Sequence, residues 1–287
     1  MNKQLVLQTD FGRCDGAVSA MYGVAVSVDL QLSIHDLTHE ITPFHIWEGS
    51  YRLYQTVSYW PTGTVFVSVV DPGVGSDRLS VVIKTKSGHY IVTPNNGTLT
   101  HIQKHIGIEE VREIDESINR LPNSNGSDTF HGRDVYVYTG ARLSAGIISY
   151  EEVGRKLDIS DIIHLHSQAA KRENTKVVGA IDILDVRFGN IWTNINKQLF
   201  NELSINYGDK VEVLITNHRR KIYQHVMTYG KSFAAIHLGE PLLYVNSLDN
   251  LGIAINQGSF AKAYDIEAGA HWEVQVTKLA DSNTTAS

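Results

Sequence analysis

The pattern of apolar residues changes character once along the chain, and this change constrains the fold more than any other feature. Up to about residue 163, short runs rich in Val and Ile alternate with stretches of helical spacing, which is typical of an α/β domain. The segment 166–176, HSQAAKRENTK, is polar and has no period. Beyond it, strand-like runs rich in Val, Ile, Thr and Tyr are separated by turn residues. The sequence therefore predicts two domains of different class.

The chain of 287 residues is long enough for two hydrophobic cores. We predict a three-layer α/β domain over residues 1–166, a linker over 167–176, and a smaller all-β domain over 177–287 that is a barrel or a sandwich. In the first domain strands are expected at 4–9, 64–70, 81–84 and 89–93, and helices after an N-cap at Asp15 and at 47–59. In the second, strands are expected at 177–186, 191–194, 210–216, 221–228, 241–245 and 272–278. The polar tail 281–287 is expected to be frayed.

Composition excludes several classes of protein. A formal net charge of −6 disfavours a nucleic acid partner, which would call for a basic surface. No apolar run approaches the roughly 20 residues of a membrane helix, and the N-terminus leads into a strand rather than a signal peptide, so we expect a cytoplasmic protein with no membrane partner. Cys14 is the one cysteine, which excludes an internal disulfide and a cysteine-based zinc cluster.

Three polar clusters follow strands or precede helices, where α/β proteins place their ligands. The first is TDFGRCDG, residues 9–16. Its carboxylates, Asp10 and Asp15, could bind hydroxyl groups, an ammonium group or a metal. They could equally cap the helix and form a turn.

The other two clusters are DPGVGSDR, residues 71–78, and FHGRD, residues 130–134. In the first, Pro72 and two glycines force a tight loop that can bring Asp71 and Arg78 face to face. The alternative is a surface ion pair, which would contribute only ~0–1 kcal/mol. In the second, His131 lies beside Gly132, where backbone can approach a ligand closely. The chain has 13 histidines, so residue type alone does not identify a catalyst.

Five further motifs occur in the same chain: HEITPF (39–44), TPNNGTL (93–99), DVRFGNIWTNI (185–195), GEPLLYVNS (239–247) and AINQGS (254–259). Together with the three clusters, they resemble the S-adenosylmethionine hydroxide adenosyltransferases, relatives of the bacterial fluorinase and chlorinase. The resemblance spans nearly the whole chain. It implies an α/β domain followed by a β-barrel, a homotrimer with active sites between subunits, and cleavage of S-adenosylmethionine by water to adenosine and methionine. It implies no metal or other cofactor.

The resemblance also implies site residues. The catalytic trio would be Asp71, Arg78 and His131. The implied substrate-binding residues are Asp10 on the ribose hydroxyls with Phe44 nearby, Asp15 and Asp185 on the methionine ammonium, Phe188 and Phe233 around the adenine, Asn190 on its polar edge, Ser247 at the methionine end, and Phe130. Outside the resemblance, the FGNIWTN segment that holds Phe188 and Trp192 would be interpreted as an edge strand packing a barrel core.

The sequence departs from the halogenases at several positions. It has Asp71 where they have a tyrosine, Gly132 where they have a small hydroxyl residue, and Val74 at a nearby threonine position. A fixed carboxylate beside the attack site would repel a halide, so we expect hydrolysis rather than halogenation. Leu248 replaces an arginine, which leaves the partner of the methionine carboxylate unidentified.

Two other functions remain open from the residues. A metal-dependent hydrolase could use Asp10, Asp15, Asp71, His131 and Asp134 as ligands, although no paired-ligand spacing occurs. A sensor could bind S-adenosylmethionine or adenosine through the same substrate residues without turning it over. Chelator sensitivity distinguishes the first function, and product formation distinguishes the second.

Overall fold

The computed structural model describes residues 2–279, and the predicted frayed tail 281–287 lies outside these residues. The described chain forms two compact units, one ending at Leu165 and the other beginning at His166. Within residues 2–279 no helix has the length and apolar character needed to cross a membrane.

The first unit contains a seven-stranded sheet in the order β2-β1-β3-β5-β4-β6-β7. Its strands are β1 (Gln4–Thr9), β2 (Ser33–Thr38), β3 (Val65–Val69), β4 (Ser80–Thr85), β5 (Tyr90–Pro94), β6 (Ile108–Glu113) and β7 (Lys156–Leu157). Strands β2, β1, β3 and β5 are parallel, whereas β4 runs antiparallel to both of its neighbours and β7 is antiparallel to β6. The parallel part of the sheet therefore has a single carboxyl edge, at which the loops after β1 and β3 lie side by side.

Helices cover both faces of this sheet. They are α1 (Ala17–Val28), α2 (Ile46–Val57), α3 (Thr100–His105), α4 (Glu116–Asn119) and α5 (Tyr138–Ala145), with a π-helical segment at Gly132–Val137 that continues into α5 and short 3-10 turns at Glu151–Val153 and Ile159–Asp161. Side chains alternate along β1, so Leu5 and Leu7 pack in one core with Met21 of α1, while Val6 packs in another with Leu53 of α2. The predicted three-layer α/β architecture is confirmed.

The start of α1 differs from the prediction in one detail. The N-cap is Gly16, not Asp15. Asp15 lies one residue earlier, and its carboxylate accepts a hydrogen bond from the Ala17 backbone N–H at 2.9 Å. Asp15 therefore satisfies a backbone N–H of the first helical turn from the position before the N-cap.

The second unit is a closed seven-stranded barrel in the order β10-β14-β13-β12-β11-β15-β9, and pairing of β9 with β10 completes the ring. The ring strands are β9 (Lys176–Asp185), β10 (Asn190–Asn196), β11 (Lys210–Asn217), β12 (Arg220–Tyr229), β13 (Pro241–Val245), β14 (Asn250–Ile255) and β15 (Gly269–Lys278). A further short strand, β8 (Lys171–Glu173), pairs with β9 outside the ring. The helices of this unit are α6 (Lys197–Asn201) and α7 (Phe260–Tyr264), with a 3-10 turn at Phe233–Ala235. Inward side chains such as Ile181, Val213 and Leu243 fill the barrel interior. Of the barrel and the sandwich, the barrel is the observed architecture.

Two strands of this unit were not predicted. Strand β8 pairs with β9 and lies inside the segment 167–176 that was expected to be a linker. Strand β14 contains Gly252, which weakens a strand pattern. The glycine is needed there because a Cβ at this position would lie 2.6 Å from the Tyr244 ring.

Candidate active site

A cavity of about 420 Å³ lies in the first unit beside the loops that follow β1 and β3. Strands β1 and β3 are adjacent and parallel, with Thr9 opposite Val69, so Asp10 and Asp71 both emerge at the carboxyl edge of the sheet. The cavity is lined by Phe11, Asp15, Ala17, Val69, Asp71, Val74, Thr129, Phe130, His131 and Gly132. All three sequence clusters therefore contribute to one cavity.

Asp71 and Arg78 form a buried, two-pronged ion pair. Arg78 Nε donates to Asp71 Oδ1 at 2.6 Å, and Arg78 Nη2 contacts Oδ2. The two side chains are only 4% and 10% exposed. The loop between them closes through positive φ at Gly75, as the glycine content predicted. The surface ion pair is therefore the wrong alternative for this loop.

The pKa of the Asp71 carboxyl reflects opposing influences. Burial raises this pKa above its ordinary value, because a buried carboxylate loses solvation, while the hydrogen bonds and charge of Arg78 pull it down without cancelling the rise. A carboxylate with a raised pKa accepts protons more readily than an exposed one. Asp71 is thus suited to take or relay a proton from a bound water.

Tyr136, which was not predicted from the sequence, supports Arg78 from behind. Its Oη accepts a hydrogen bond from Arg78 Nη1 at 2.7 Å and shares another with Ser80 Oγ at 3.1 Å. The ring is fully buried, and this burial raises the pKa of the Tyr136 phenol, which stays a neutral hydroxyl. Its spacing of 58 residues from Arg78 gave no signal in the sequence.

We expect Tyr136→Phe to lower kcat about tenfold, the equivalent of about 1.4 kcal/mol, because a charged donor loses its partner in a buried site. Steady-state kinetics would measure this change. Tyr150→Phe is a matched control, since Tyr150 is also buried but its hydroxyl binds the Val82 and Glu110 carbonyls, which are not among the cavity-lining residues. Equal kcat values for the two variants would contradict the supporting role of Tyr136.

His131 lines the cavity and is 7% exposed. Its Nε2 lies 3.1 Å from Arg120 Nη2, and among residues 2–279 its Nδ1 has no hydrogen-bond partner. The preceding residue, Phe130, packs edge-to-face on Phe11 with ring centroids 5.7 Å apart. The histidine therefore lies in the cavity wall next to a pair of packed aromatic rings.

Asp10 does not line the cavity; it is bonded to Phe44. Its Oδ2 accepts from the Phe44 backbone N–H at 2.8 Å, and Phe44 has a left-handed φ of 68° with a ring that is 70% exposed. A non-glycine residue in this conformation is a local strain that commonly marks ligand sites. The pair Asp10 and Phe44 that the resemblance implied is thus brought together.

The sequence did not predict a relay of hydrogen bonds that begins at Thr9, the residue before Asp10. Thr9 Oγ1 lies 2.8 Å from His39 Nδ1, and His39 Nε2 lies 2.8 Å from Asp36 Oδ1. The Gly12 N–H also donates to the His39 carbonyl at 2.7 Å. The relay ties the loop after β1 to the end of β2. The motif HEITPF, which begins at His39, was the available signal.

In the barrel unit, three implied substrate residues share one loop between β9 and β10. Asp185 Oδ2 accepts from Asn190 Nδ2 at 3.2 Å, and Asp185 Oδ1 accepts from the Phe188 N–H at 3.4 Å. Phe188 is 66% exposed, so its ring is available to stack on a flat aromatic ligand. Asp185 therefore orders the loop that presents Phe188.

The other two implied residues of this unit lie near β13. Phe233 packs on Tyr244 with ring centroids 5.2 Å apart, and Trp192 Nε1 donates to Tyr244 Oη at 2.9 Å. The edge-strand interpretation of this segment is wrong, because β10 pairs with both β9 and β14, and Trp192 packs against Leu242, Tyr244 and Ala254. Ser247 is exposed and lies two residues beyond the end of β13.

Gly189→Ala should disturb the Phe188 loop strongly. Gly189 has φ of 69°, and a Cβ there would lie 1.9 Å from Ser259 Oγ and 3.1 Å from the Ser259 Cα. We expect a loss of about 1–3 kcal/mol in the free energy of unfolding, measured by denaturant titration. Gly208→Ala, also at positive φ but with nothing within 4 Å, is the control for backbone strain alone. A loss no larger than that of Gly208→Ala would contradict the close contact.

The residues proposed as metal ligands are not gathered. Among residues 2–279 no three His, Cys, Asp or Glu side chains form a group that could hold a metal ion. Asp71 is bound by Arg78, and Asp134 is bound by Arg133 at 2.6 and 2.9 Å. The geometry therefore does not favour the metal-dependent hydrolase.

Comparison with protein families agrees with this arrangement. Residues 5–154 match the SAM hydroxide adenosyltransferase N-terminal domain, and residues 179–273 match the C-terminal domain of the same family. The chain belongs to the SAM hydroxide adenosyltransferases. The resemblance inferred from the sequence motifs is confirmed.

Individual relatives of this SAM hydroxide adenosyltransferase include both hydrolases and halogenases. The (R)-S-adenosyl-L-methionine hydrolase of Methanocaldococcus jannaschii is 39% identical over 74% of this chain and 73% of that protein. The fluorinase of Actinopolyspora mzabensis is 28% identical over 96% of this chain and 97% of its own. Among solved structures, an uncharacterized conserved protein from Thermotoga maritima is 34% identical with a TM-score of 0.86, covering 96% of this chain and 100% of its own.

Proposed function

We propose that the protein hydrolyses S-adenosylmethionine to adenosine and methionine. The observation that carries this proposal is the buried ion pair of Asp71 with Arg78, whose carboxylate lines one cavity together with His131. Family membership supports it, and so does the similarity to a named (R)-S-adenosyl-L-methionine hydrolase. A protein that only binds the substrate has no need of a buried, fixed carboxylate in such a cavity.

In this reaction the enzyme must assist the attacking water, whereas the leaving group needs no assistance. Methionine leaves from a sulfonium as a neutral thioether, so no acid has to protonate it. Water must be held in line with the bond from ribose C5′ to sulfur, and such positioning supplies roughly 7–11 kcal/mol in favourable cases. The proposed reaction therefore requires neither a metal nor another cofactor.

The trio would divide this work. Asp71 orients the water and takes its proton, because its raised pKa makes it a better base than an exposed carboxylate. Arg78 keeps that carboxylate ionised and fixed through two N–H groups. His131, from the FHGRD cluster, would stabilise the hydroxide that forms, together with Arg78.

Features of the same cavity favour water over a halide. The Asp71 carboxylate would repel an incoming anion. Position 132, a small hydroxyl residue in the halogenases, is a glycine against which Phe11 packs, so that a Cβ would lie 3.1 Å from two ring carbons. The ring therefore occupies the room that a side chain at position 132 would take.

The substrate contacts are proposed to follow the family resemblance. Asp10 would bind the ribose hydroxyls beside Phe44, and Asp15 would bind the methionine ammonium. In the barrel unit, Asp185, Phe188, Asn190, Phe233 and Ser247 would take the roles given above. We propose a homotrimer with active sites between subunits, which the exposed rings of Phe44 and Phe188 support, and sedimentation equilibrium tests it.

The function is tested by incubating the purified protein with S-adenosylmethionine, with and without chelator, chloride and fluoride, and identifying the nucleosides by chromatography. Adenosine and methionine in every condition are expected. Formation of a halogenated nucleoside would show that the reaction is halogenation rather than hydrolysis. Loss of activity with chelator would implicate a metal. Tight binding of S-adenosylmethionine without any product would indicate that the protein is a sensor rather than an enzyme.

A further inference from the structure

Among residues 2–279, the ring of His131 makes one hydrogen bond, and its partner is a cation. Arg120 Nη2 lies 3.1 Å from His131 Nε2. A guanidinium group has donors only, so Nε2 must accept and must carry no proton. The ring proton of the neutral imidazole then lies on Nδ1.

Nδ1 is the nitrogen left for the reaction. It is buried, and among residues 2–279 no hydrogen-bond partner reaches it. The side chain lines the cavity that Asp71 also lines. A neutral His131 in this tautomer therefore keeps one N–H donor unused in the resting enzyme.

Arg120 is itself held firmly. Its Nε and Nη2 donate to Glu116 Oε2 at 3.0 and 2.8 Å, and Nη2 also lies 3.0 Å from Asp128 Oδ1. Its side chain is 12% exposed. Glu116 is the first residue of α4 and Arg120 directly follows its last, so the ion pair across this short helix fixes the guanidinium beside His131.

Competing charges around His131 do not favour the imidazolium. Asp128 lies 3.6 Å from Nε2, beyond hydrogen-bond length, and its side chain is 68% exposed, so solvent screens its charge. Asp71 lines the same cavity but is paired with Arg78, and the uncharged Tyr136 ring lies 6.5 Å away. A protonated Nε2 would point its N–H at the Arg120 cation. This repulsion outweighs the attraction of the two carboxylates, and His131 is therefore neutral.

We propose that Arg120 is a positioning residue that fixes His131 as the neutral Nδ1–H tautomer for the reaction in the cavity. The kinetic consequence rests on the proposed hydrolase function, whereas the tautomer does not. Arg120 lies in none of the motifs that carried the family resemblance.

The tautomer is read directly by nitrogen NMR of the wild-type protein labelled with ¹⁵N-histidine, at neutral pH. The resonances of His131 are assigned by their absence in His131→Gln. We expect Nε2 to show the unprotonated shift and Nδ1 the protonated one. A protonated Nε2 would overturn the proposal whether or not the protein cleaves S-adenosylmethionine.

The kinetic test compares Arg120→Gln and Arg120→Lys with the control Arg112→Gln. Arg112 is similarly buried, with 16% of its side chain exposed, but pairs with Glu110 on β6. We expect Arg120→Gln to lower kcat about tenfold to a hundredfold with KM unchanged, because the His131 ring is no longer held in one tautomer. Arg120→Lys should recover part of the lost kcat.

An unchanged kcat in Arg120→Gln would contradict the positioning role. So would an Arg112→Gln variant with the same kinetic losses, since that would indicate a general effect of removing a buried arginine. Absence of any wild-type turnover would instead reject the proposed function and leave the NMR result to decide the tautomer.

Discussion

Asp71→Asn is expected to abolish most of the turnover, with kcat lowered about 10²–10⁴-fold, the usual contribution of a positioned base. Asparagine has nearly the same shape and can still accept one Arg78 N–H through its oxygen, but its amide nitrogen cannot accept the other, and the amide cannot take a proton. Binding of S-adenosylmethionine should be nearly unchanged, because Asp71 acts on the water rather than on the substrate. Single-turnover kinetics and calorimetry would measure the two effects.

The matched control is Glu110→Gln, which removes the carboxylate of another ion pair in the same unit, with Arg112 at 2.8 Å. It should leave kcat unchanged. Asp71→Asn with wild-type kcat and an intact thermal transition would reject Asp71 as the base. Equal losses in both variants would point to folding rather than catalysis.

Arg78→Met should be inactive at neutral pH and recover as the pH rises. In the wild type, burial already raises the pKa of Asp71, and the hydrogen bonds and charge of Arg78 hold that rise in check. Without Arg78 the pKa rises further, so Asp71 stays protonated to higher pH and the acid limb of the activity profile moves upward. A profile of kcat/KM against pH would show this shift.

The same variant should be less stable by about 3–5 kcal/mol at high pH, the usual cost of removing one partner of a buried ion pair. This loss should shrink as the pH falls, because a protonated Asp71 needs no counter-charge. Arg112→Met, with a comparably buried guanidinium, is the control and should leave the activity profile in place. An Arg78→Met profile that coincides with wild type would contradict the coupling of the two residues.

Much of the fold was predictable because it depends on local patterns. The alternation of Leu5, Val6 and Leu7 between two cores follows from the period of a strand, and β1 occupies the predicted residues. The spacing of Met21 and Ala25 likewise places α1. By contrast, β14 escaped prediction because Gly252 breaks its pattern to admit the Tyr244 ring, which is a contact between two strands.

The candidate site divides in the same way. The loop from Asp71 to Arg78 is short, and its glycines and proline allow the pairing to be inferred from seven residues of chain. The sequence could not tell a surface pair from a buried one, because burial depends on what packs above the loop.

By itself, the sequence determined the two classes of domain, the three polar clusters and the family, because each depends on residues that are near one another in the chain. Only the tertiary structure decided that the barrel closes through β9 and β10, that Tyr136 supports Arg78, and that Arg120 bonds to His131. The physical reason is that hydrogen bonds and burial between distant segments depend on how whole elements pack, and this packing leaves no period or spacing in the sequence.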